Sequence, residues 1–136
     1  MATIKSYTDL SQSKKLAEIL PIESADMYYE EVCNLPKAII GNYILHNQCM
    51  EDKDYKKLSN PVLSPAWSLS ALLNILHSKT KNIPSLSGGG YKDGKYISDW
   101  CLDYEFDDGD YQKTFADNPV DVCYEMILKL HELRVL

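Results

Sequence analysis

The sequence lacks a long apolar run. Its most apolar stretch, residues 66–76, is interrupted by Ser68, Ser70 and Asn74. It is also much shorter than the roughly 20 residues that a membrane-spanning helix needs. The first fifteen residues contain no apolar core of the kind that signal peptides carry. We therefore expect a cytoplasmic protein that does not associate with membranes.

Basic residues are scarce as well. The chain has 14 lysines and arginines against 20 aspartates and glutamates, which gives a net charge of −6. The densest group of lysines, Lys53, Lys56 and Lys57, is interleaved with carboxylates, so its local charge is close to zero. Proteins that bind nucleic acids use clustered positive charge to neutralise phosphates. The composition therefore predicts no direct nucleic-acid binding.

Paired cysteines are missing. The four cysteines, Cys33, Cys49, Cys101 and Cys123, include no C-x-x-C pair, and without an export signal they are expected to be free thiols. His46 and Cys49 have an H-x-x-C spacing, but a structural zinc site needs a second pair of ligands, which the sequence does not supply. We predict no metal and no cofactor.

Motifs for nucleotide or calcium binding are incomplete. Residues Gly89–Lys95 have the G-x4-G-K skeleton of a phosphate-binding loop, but Tyr96 follows where Ser or Thr should hold magnesium. Residues Asp103–Asp110 resemble a calcium loop, but their glycine comes one position late, and Thr114 occupies the twelfth position, where a glutamate belongs. We interpret the first stretch as a hairpin turn and the second as an acidic strand end in solvent.

What is present predicts one compact α+β domain covering residues 1–136. This length is typical of a single domain, and a chain that is 45% apolar and 25% charged is typical of globular proteins. The predicted fold is a small antiparallel sheet of two hairpins, with three to four helices packed on one of its faces.

Three helices are predicted in the first part of the chain. Thr8 is expected to cap a helix from Asp9 to about Leu20, and a second, short helix is expected over residues 24–32. Ser64 and Pro65 are expected to cap and begin a third helix. The face of this third helix that packs on the core carries Leu69, Leu72, Leu73 and Leu76.

Two hairpins and a final helix complete the prediction. A Gly41–Asn42 turn is expected within a hairpin over residues 37–46, and an Asp93–Gly94 turn leads into a strand over residues 95–106. Asn118, followed by proline, is expected to cap the last helix.

Tyrosine is frequent, with ten copies in the chain. Tyrosine is enriched at protein interfaces because it offers a large contact area with a polar tip. The alternative interpretation is that these aromatic residues close the edges of a small core. Tyrosines and carboxylates are concentrated in one region, and we take them as a candidate interaction surface: Tyr91, Tyr96, Asp103, Tyr104, Glu105, Asp107, Asp108, Asp110 and Tyr111.

Four stretches carry a resemblance to a known family. They are Tyr7–Pro21 (YTDLSQSKKLAEILP), Glu23–Tyr28 (ESADMY), Pro65–Leu73 (PAWSLSALL) and the last helix, Asn118–Glu132. Together they resemble a family of small hypothetical proteins of phages and integrated mobile elements of gut bacteria. The resemblance implies a context, namely a bacterial cytoplasm and a phage or mobile-element gene neighbourhood, and it implies no catalytic residues.

The sequence thus favours a non-enzymatic accessory protein that binds a protein partner through the candidate surface. One alternative is a small hydrolase or modifying enzyme that uses cysteine or histidine with carboxylates, which requires residues distant in sequence to meet in one cleft. Another is an acidic inhibitor of a host nucleic-acid-binding protein, although a net charge of −6 is modest for that role.

Overall fold

The structure is a computed structural model that describes residues 5–31, 43–49 and 63–136. The chain divides into two compact units. The first unit is Asp9–Ser68, and the second unit is Leu69–Leu136 together with the N-terminal residues up to Thr8. The described residues form three small antiparallel sheets and three α-helices, which confirm the predicted α+β class. That residues 1–136 form a single domain stays a prediction.

The first unit begins with helix α1, Leu10–Ala17. Its cap is Asp9, one residue after the predicted Thr8. The Asp9 carboxylate accepts a hydrogen bond from the Gln12 backbone N–H at 2.8 Å, and the Gln12 side chain accepts one from the Asp9 N–H at 3.1 Å. This reciprocal capping box satisfies two backbone donors that the first helical turn would otherwise leave unpaired. The predicted helix is therefore confirmed, but it ends three residues before Leu20.

The predicted helix over residues 24–32 is wrong. Ile22–Ser24 form a 3-10 turn, and Met27–Glu31 form strand β1, the central strand of a three-stranded sheet in the order β2-β1-β3. Strands β2, Tyr43–His46, and β3, Leu63–Ala66, both pair antiparallel with β1. Hydrogen bonding on both sides of β1 outweighs the weak helical propensity of its sequence.

Two other predictions for the first unit differ from the structure. The second half of the predicted hairpin over residues 37–46 is strand β2, but its partner in the described chain is β1, and residues 37–42 lie outside the described part. Ser64 and Pro65 belong to strand β3 and do not begin a helix. Proline is tolerated there because β3 is an edge strand of the described sheet, where a missing N–H is harmless.

The second unit is built around a sheet in the order β4-β7-β8. Its strands are β4, Ser85–Ser87, β7, Trp100–Glu105, and β8, Tyr111–Ala116. Helix α2, Leu69–His77, packs against the long helix α3, Pro119–Glu132, and α3 packs against β7 and β8. No helix in the described part of the chain combines the length and apolar character needed to cross a bilayer.

Helix α3 confirms its prediction. The Asn118 side chain accepts a hydrogen bond from the Asp121 N–H at 2.9 Å, and Pro119 occupies the first turn. Leu133 lies just past the helix and is half exposed. The fully buried side chains of α3 are Val120, Val122, Cys123, Met126, Ile127 and Leu130.

The predicted Asp93–Gly94 hairpin is also confirmed. It joins β5, Gly90–Lys92, to β6, Lys95–Ile97, in a two-stranded ribbon. Asp93 has φ 52° and Gly94 has φ 76°, which are the positive angles of a tight two-residue hairpin turn. The strand predicted over residues 95–106 is interrupted, and only its second half, β7, joins the main sheet of this unit.

Candidate protein-interaction surface

The two faces of the β7–β8 pair have different surroundings. Thr114 on β8 donates from its hydroxyl to the Val122 carbonyl of α3 at 3.0 Å, so this inner face of the sheet lies against the helix. Leu102, opposite Thr114 on β7, is completely buried. Side chains alternate between faces along a strand. The outer face of the pair therefore carries Cys101, Asp103, Glu105, Tyr111, Lys113 and Phe115.

The β5–β6 ribbon covers one end of the outer face. The Lys113 ammonium donates to the Tyr91 carbonyl at 3.3 Å. A Cβ added to Gly90 would lie 3.0 Å from the Cys101 sulfur and 3.4 Å from a ring carbon of Phe115. These contacts are tighter than most side chains make, so the lack of a side chain at Gly90 favours the close approach of the ribbon to the sheet.

Three tyrosines of the candidate surface are exposed in this region. Tyr91, Tyr96 and Tyr111 are 64%, 58% and 66% exposed, respectively. The rings of Tyr91 and Tyr96 form an edge-to-face pair across the ribbon, with centroids 5.5 Å apart. Tyr111 lies opposite Glu105 on the outer face. Such pairs hold aromatic rings in a fixed geometry while leaving their area open to a partner.

The acidic residues of the outer face stand beside these tyrosines. Asp103 lies 3.5 Å from the Lys113 ammonium, and both side chains remain partly exposed. Glu105 is exposed. We call the set Tyr91, Tyr96, Asp103, Glu105 and Tyr111 the tyrosine–acid surface.

Asp107 and Asp108 have a different role, because they build the β7–β8 loop. Phe106 N–H donates to the Asp110 carbonyl at 2.7 Å, and Gly109 N–H donates to the Phe106 carbonyl at 3.1 Å. Gly109 has φ 94°. This is the three-residue hairpin loop whose last residue needs a positive φ. The Asp108 carboxylate accepts from the Asp110 N–H at 2.9 Å and so closes the loop on itself.

Asp107 ties that loop to the segment after α2. Its carboxylate accepts from the Lys81 N–H at 2.7 Å and lies 3.2 Å from the Thr80 hydroxyl. That hydroxyl also donates to the Glu105 carbonyl at 2.6 Å. Asp107 therefore stabilises the fold of this unit, although its side chain is near the surface.

Tyr104, also predicted for the surface, lies on the inner face of β7 and is completely buried. Its ring packs edge-to-face on Phe106, with centroids 5.2 Å apart. Burial, and secondarily Asp107, raises the pKa of the Tyr104 phenol. Its hydroxyl has no hydrogen-bond partner among the described residues. Tyr104 is therefore a core residue, and we leave it out of the tyrosine–acid surface.

The cysteines and histidines show no catalytic arrangement within the described residues. Burial raises the pKa of the Cys123 thiol to about 12, and burial and Asp103 raise that of Cys101. Both are protonated at neutral pH, whereas the thiolate is the reactive form. His46 stacks on Tyr28 with centroids 4.5 Å apart, and its Nε2 lies 3.0 Å from a Glu30 carboxylate oxygen.

Metal-binding geometry is also missing from the part of the chain that the structure describes. No group of three or more His, Cys, Asp or Glu residues there could hold an ion. Cys49 of the H-x-x-C pair is exposed, and Cys33 lies outside the described residues. The stretch that resembled a phosphate-binding loop forms the ribbon turn, with a strand after it.

Sequence reasoning missed strand β8 and a groove beside it. The groove has a volume of about 380 Å³ and lies between the start of β8 and the chain that follows α3. Alternation along Tyr111–Ala116 was the available signal, but its residues are mixed in polarity on both faces. The groove is lined by Phe106, Asp108, Asp110, Tyr111, Gln112, Leu133 and Val135.

Comparison of the chain with models of known protein families, with curated proteins and with solved structures gave no match.

Proposed function

We propose that this chain is a non-enzymatic accessory protein that binds a protein partner through the tyrosine–acid surface. The observation that carries the proposal is the exposure of Tyr91, Tyr96 and Tyr111 beside the outer-face carboxylates. Exposed aromatic residues grouped on one surface are typical of interfaces. Carboxylates around them add specificity and faster association with a positively charged partner.

The resemblance to phage and mobile-element proteins supplies the proposed context. In that setting the partner is a protein of the bacterial cytoplasm or of the element itself. The net charge of −6 supports a partner other than nucleic acid. An acidic inhibitor of a nucleic-acid-binding protein would be one form of this function, since its target would carry a basic surface.

The enzymatic alternative receives little support from the described residues. A cysteine nucleophile needs a lowered pKa, and the pKa values of Cys101 and Cys123 are both raised. In the second unit, the His131 ring lies 3.2 Å from the Leu136 carbonyl and is exposed. We therefore retain binding as the proposed function.

The test is affinity capture of the tagged chain from a lysate of a gut bacterium, followed by mass spectrometry. The informative variant combines Asp103→Asn, Glu105→Gln and Tyr111→Ser, which changes the outer face and leaves Asp107 and Asp108 in place. A partner captured by the wild-type chain should be lost from this variant, because both area and charge are removed.

A matched control removes the same amount of charge from helix α3 and leaves the outer face unchanged. Glu125→Gln with Glu132→Gln removes the same number of charges from exposed positions. It should retain the partner. Equal capture by all three proteins would contradict the proposed surface, and loss of the partner from the α3 control as well would show that only total charge matters. Unfolding curves of the variants would exclude misfolding as the cause.

A further inference from the structure

Within the described residues, strand β8 is an edge strand, and the residues on its outward side can be identified one by one. In an antiparallel pair, residues alternate between those that exchange hydrogen bonds with the partner strand and those that do not. The bond from Phe106 N–H to the Asp110 carbonyl sets this phase, and the register continues without a break to Ala116. Gln112 and Thr114 therefore direct their backbone groups toward β7.

The residues between them direct their backbone groups away from β7. These are Tyr111, Lys113 and Phe115, which together offer three N–H donors and three carbonyl acceptors on one edge. Within the described residues, none of these six groups has a hydrogen-bond partner. An edge of this length is a template on which another strand can add.

Natural proteins often protect such an edge with a lysine that projects over it. Here Lys113 does not do so. Its ammonium contacts the Tyr91 carbonyl and the Asp103 carboxylate, so the side chain lies across the outer face of the sheet. Among the residues that the structure describes, the Lys113 side chain therefore does not cover the backbone at the middle of β8.

The groove beside β8 adds a side-chain site to this edge. Tyr111 and Gln112 both line it although they lie on opposite faces of the strand, so the groove crosses the edge. Leu133, which is 50% exposed, supplies apolar surface. Asp108 and Asp110 supply negative charge, and no lysine or arginine is among the described lining residues.

From these features we infer that the β8 edge binds an extended, basic segment of a partner protein as an added strand. The inference rests on the proposed function and names the kind of partner. The segment's backbone would pair with Tyr111, Lys113 and Phe115. A lysine or arginine side chain would enter the groove toward Asp108 and Asp110, and an apolar side chain would contact Leu133.

A second copy of this chain fits the same edge poorly. Antiparallel pairing of two β8 strands about a twofold axis at Lys113 places two lysines directly opposite each other, which is destabilising. That pairing also brings no positively charged side chain to the carboxylates of Asp108 and Asp110 in the groove. Charge complementarity thus favours a basic segment from another protein.

The first experiment uses the full chain and a labelled six-residue peptide of alternating valine and arginine, blocked at both ends, with binding followed by fluorescence anisotropy. The variant Lys113→Pro removes an outward N–H without removing a β7–β8 ladder bond, because residue 113 is at a non-bonded position. Lys113→Ala is its matched control, since it removes the same ammonium and keeps the N–H.

The expected result is that Lys113→Pro weakens peptide binding at least about fivefold relative to Lys113→Ala, which is the effect of one lost main-chain hydrogen bond. A peptide that is N-methylated at alternate amides should also bind weakly to the wild-type chain. Equal binding by Lys113→Pro and Lys113→Ala would overturn the inference, and so would full binding of the N-methylated peptide. Thermal unfolding of both variants checks that β8 remains folded.

The second experiment tests the charge of the groove. Asp108→Asn with Asp110→Asn keeps the side-chain acceptor that closes the loop and removes two charges. The arginine peptide should bind about fivefold more weakly at low salt, and the difference should shrink at high salt. Glu125→Gln with Glu132→Gln is the charge-matched control. An equal loss in the control would overturn the role of the groove.

Two further outcomes separate this inference from the proposed function. If Lys113→Pro still captures a partner that the outer-face variant loses, the tyrosine–acid surface stands and the edge inference fails. If the free chain forms a dimer that Lys113→Pro abolishes, the edge belongs to a second copy and the inference is overturned.

Discussion

The two three-stranded sheets use tyrosine in opposite ways. In the first unit, Tyr28 lies on the central strand β1, is only 6% exposed, and stacks on His46 of the neighbouring strand. In the second unit, Tyr111 begins the edge strand β8 and is 66% exposed. In these two sheets the tyrosine on the central strand belongs to a core, and the tyrosine on the edge strand is available to a partner. The number of tyrosines in a sequence therefore says little about an interface until the strand order is known.

The sharpest way to break this comparison is to truncate one tyrosine in each sheet. Tyr28→Ala should lower the free energy of unfolding by about 3–5 kcal/mol, because it leaves a cavity beside Leu63. Tyr111→Ala should change it by no more than about 0.5 kcal/mol, since the ring is in solvent. Urea unfolding followed by circular dichroism measures both. Similar losses for the two variants would contradict the comparison.

The cysteines show the opposite distribution to the tyrosines. Cys49 of the first unit is exposed, and Cys123 of the second unit is buried. The ordinary pKa of a thiol is 9.0, and burial raises that of Cys123 to about 12. The unfolded chain therefore loses this proton at lower pH than the folded chain does. The stabilisation is complete below pH 9 and falls by about 1.4 kcal/mol per pH unit as the pH rises toward 12.

Cys123→Ala should lack that part of the pH dependence, so its unfolding free energy should approach that of the wild-type chain as the pH rises from 9 to 11. Urea titrations at a series of pH values give the difference. Iodoacetamide at neutral pH provides the control, since Cys49 should be modified in the native protein and Cys123 only after unfolding. A difference that does not change with pH would refute the assignment.

Two carboxylates of the second unit are expected to differ in their contribution to stability. Asp107→Ala should destabilise the chain by about 1–2 kcal/mol, because it leaves the Lys81 N–H without its acceptor. Glu105→Ala, two residues away, should have an effect below about 0.5 kcal/mol, since that side chain is exposed. Thermal unfolding of both variants is the measurement. A larger effect at Glu105 would show that the outer face is structural.

No loss of stability is expected from removing the hydroxyl of Tyr104. Its buried hydroxyl has no hydrogen-bond partner in the described part of the chain, so Tyr104→Phe removes a polar group from the core and loses no bond. We expect a change between neutral and a stabilisation of about 1 kcal/mol. A clear loss of stability in urea unfolding would show that the hydroxyl has a partner in solution.

Features that depend on neighbouring residues were predictable from the sequence. Asn118 and Pro119 define the start of α3 because capping is a contact within one turn. The Asp93–Gly94 turn was predictable because positive φ angles favour these two residue types. Both signals act over four residues or fewer, and distant contacts do not override them.

Features that depend on distant partners were not predictable. β1 is a strand because β2 and β3 bond to its two sides, and neither contact is visible in residues 24–32. The acidic run looked like a uniform surface, but Asp107 is bonded to residues that precede it by more than twenty positions. Strand β8 was not predicted because its inner face carries Gln112 and Thr114, which are not apolar. Within the candidate surface, the sequence grouped the exposed Tyr91 and Tyr111 with the buried Tyr104 and gave no means of separating them.

The three-residue loop at Asp107–Gly109 has a consequence for the order of folding. It joins β7 to β8 almost without intervening chain, so this hairpin forms by a local closure. The pairing of Tyr28 with Pro65 needs closure of a long segment. We therefore expect substitutions in the loop, such as Gly109→Ala, to slow refolding, and Ala66→Gly in β3 mainly to speed unfolding. Stopped-flow kinetics with the opposite pattern would place the first-unit sheet in the nucleus.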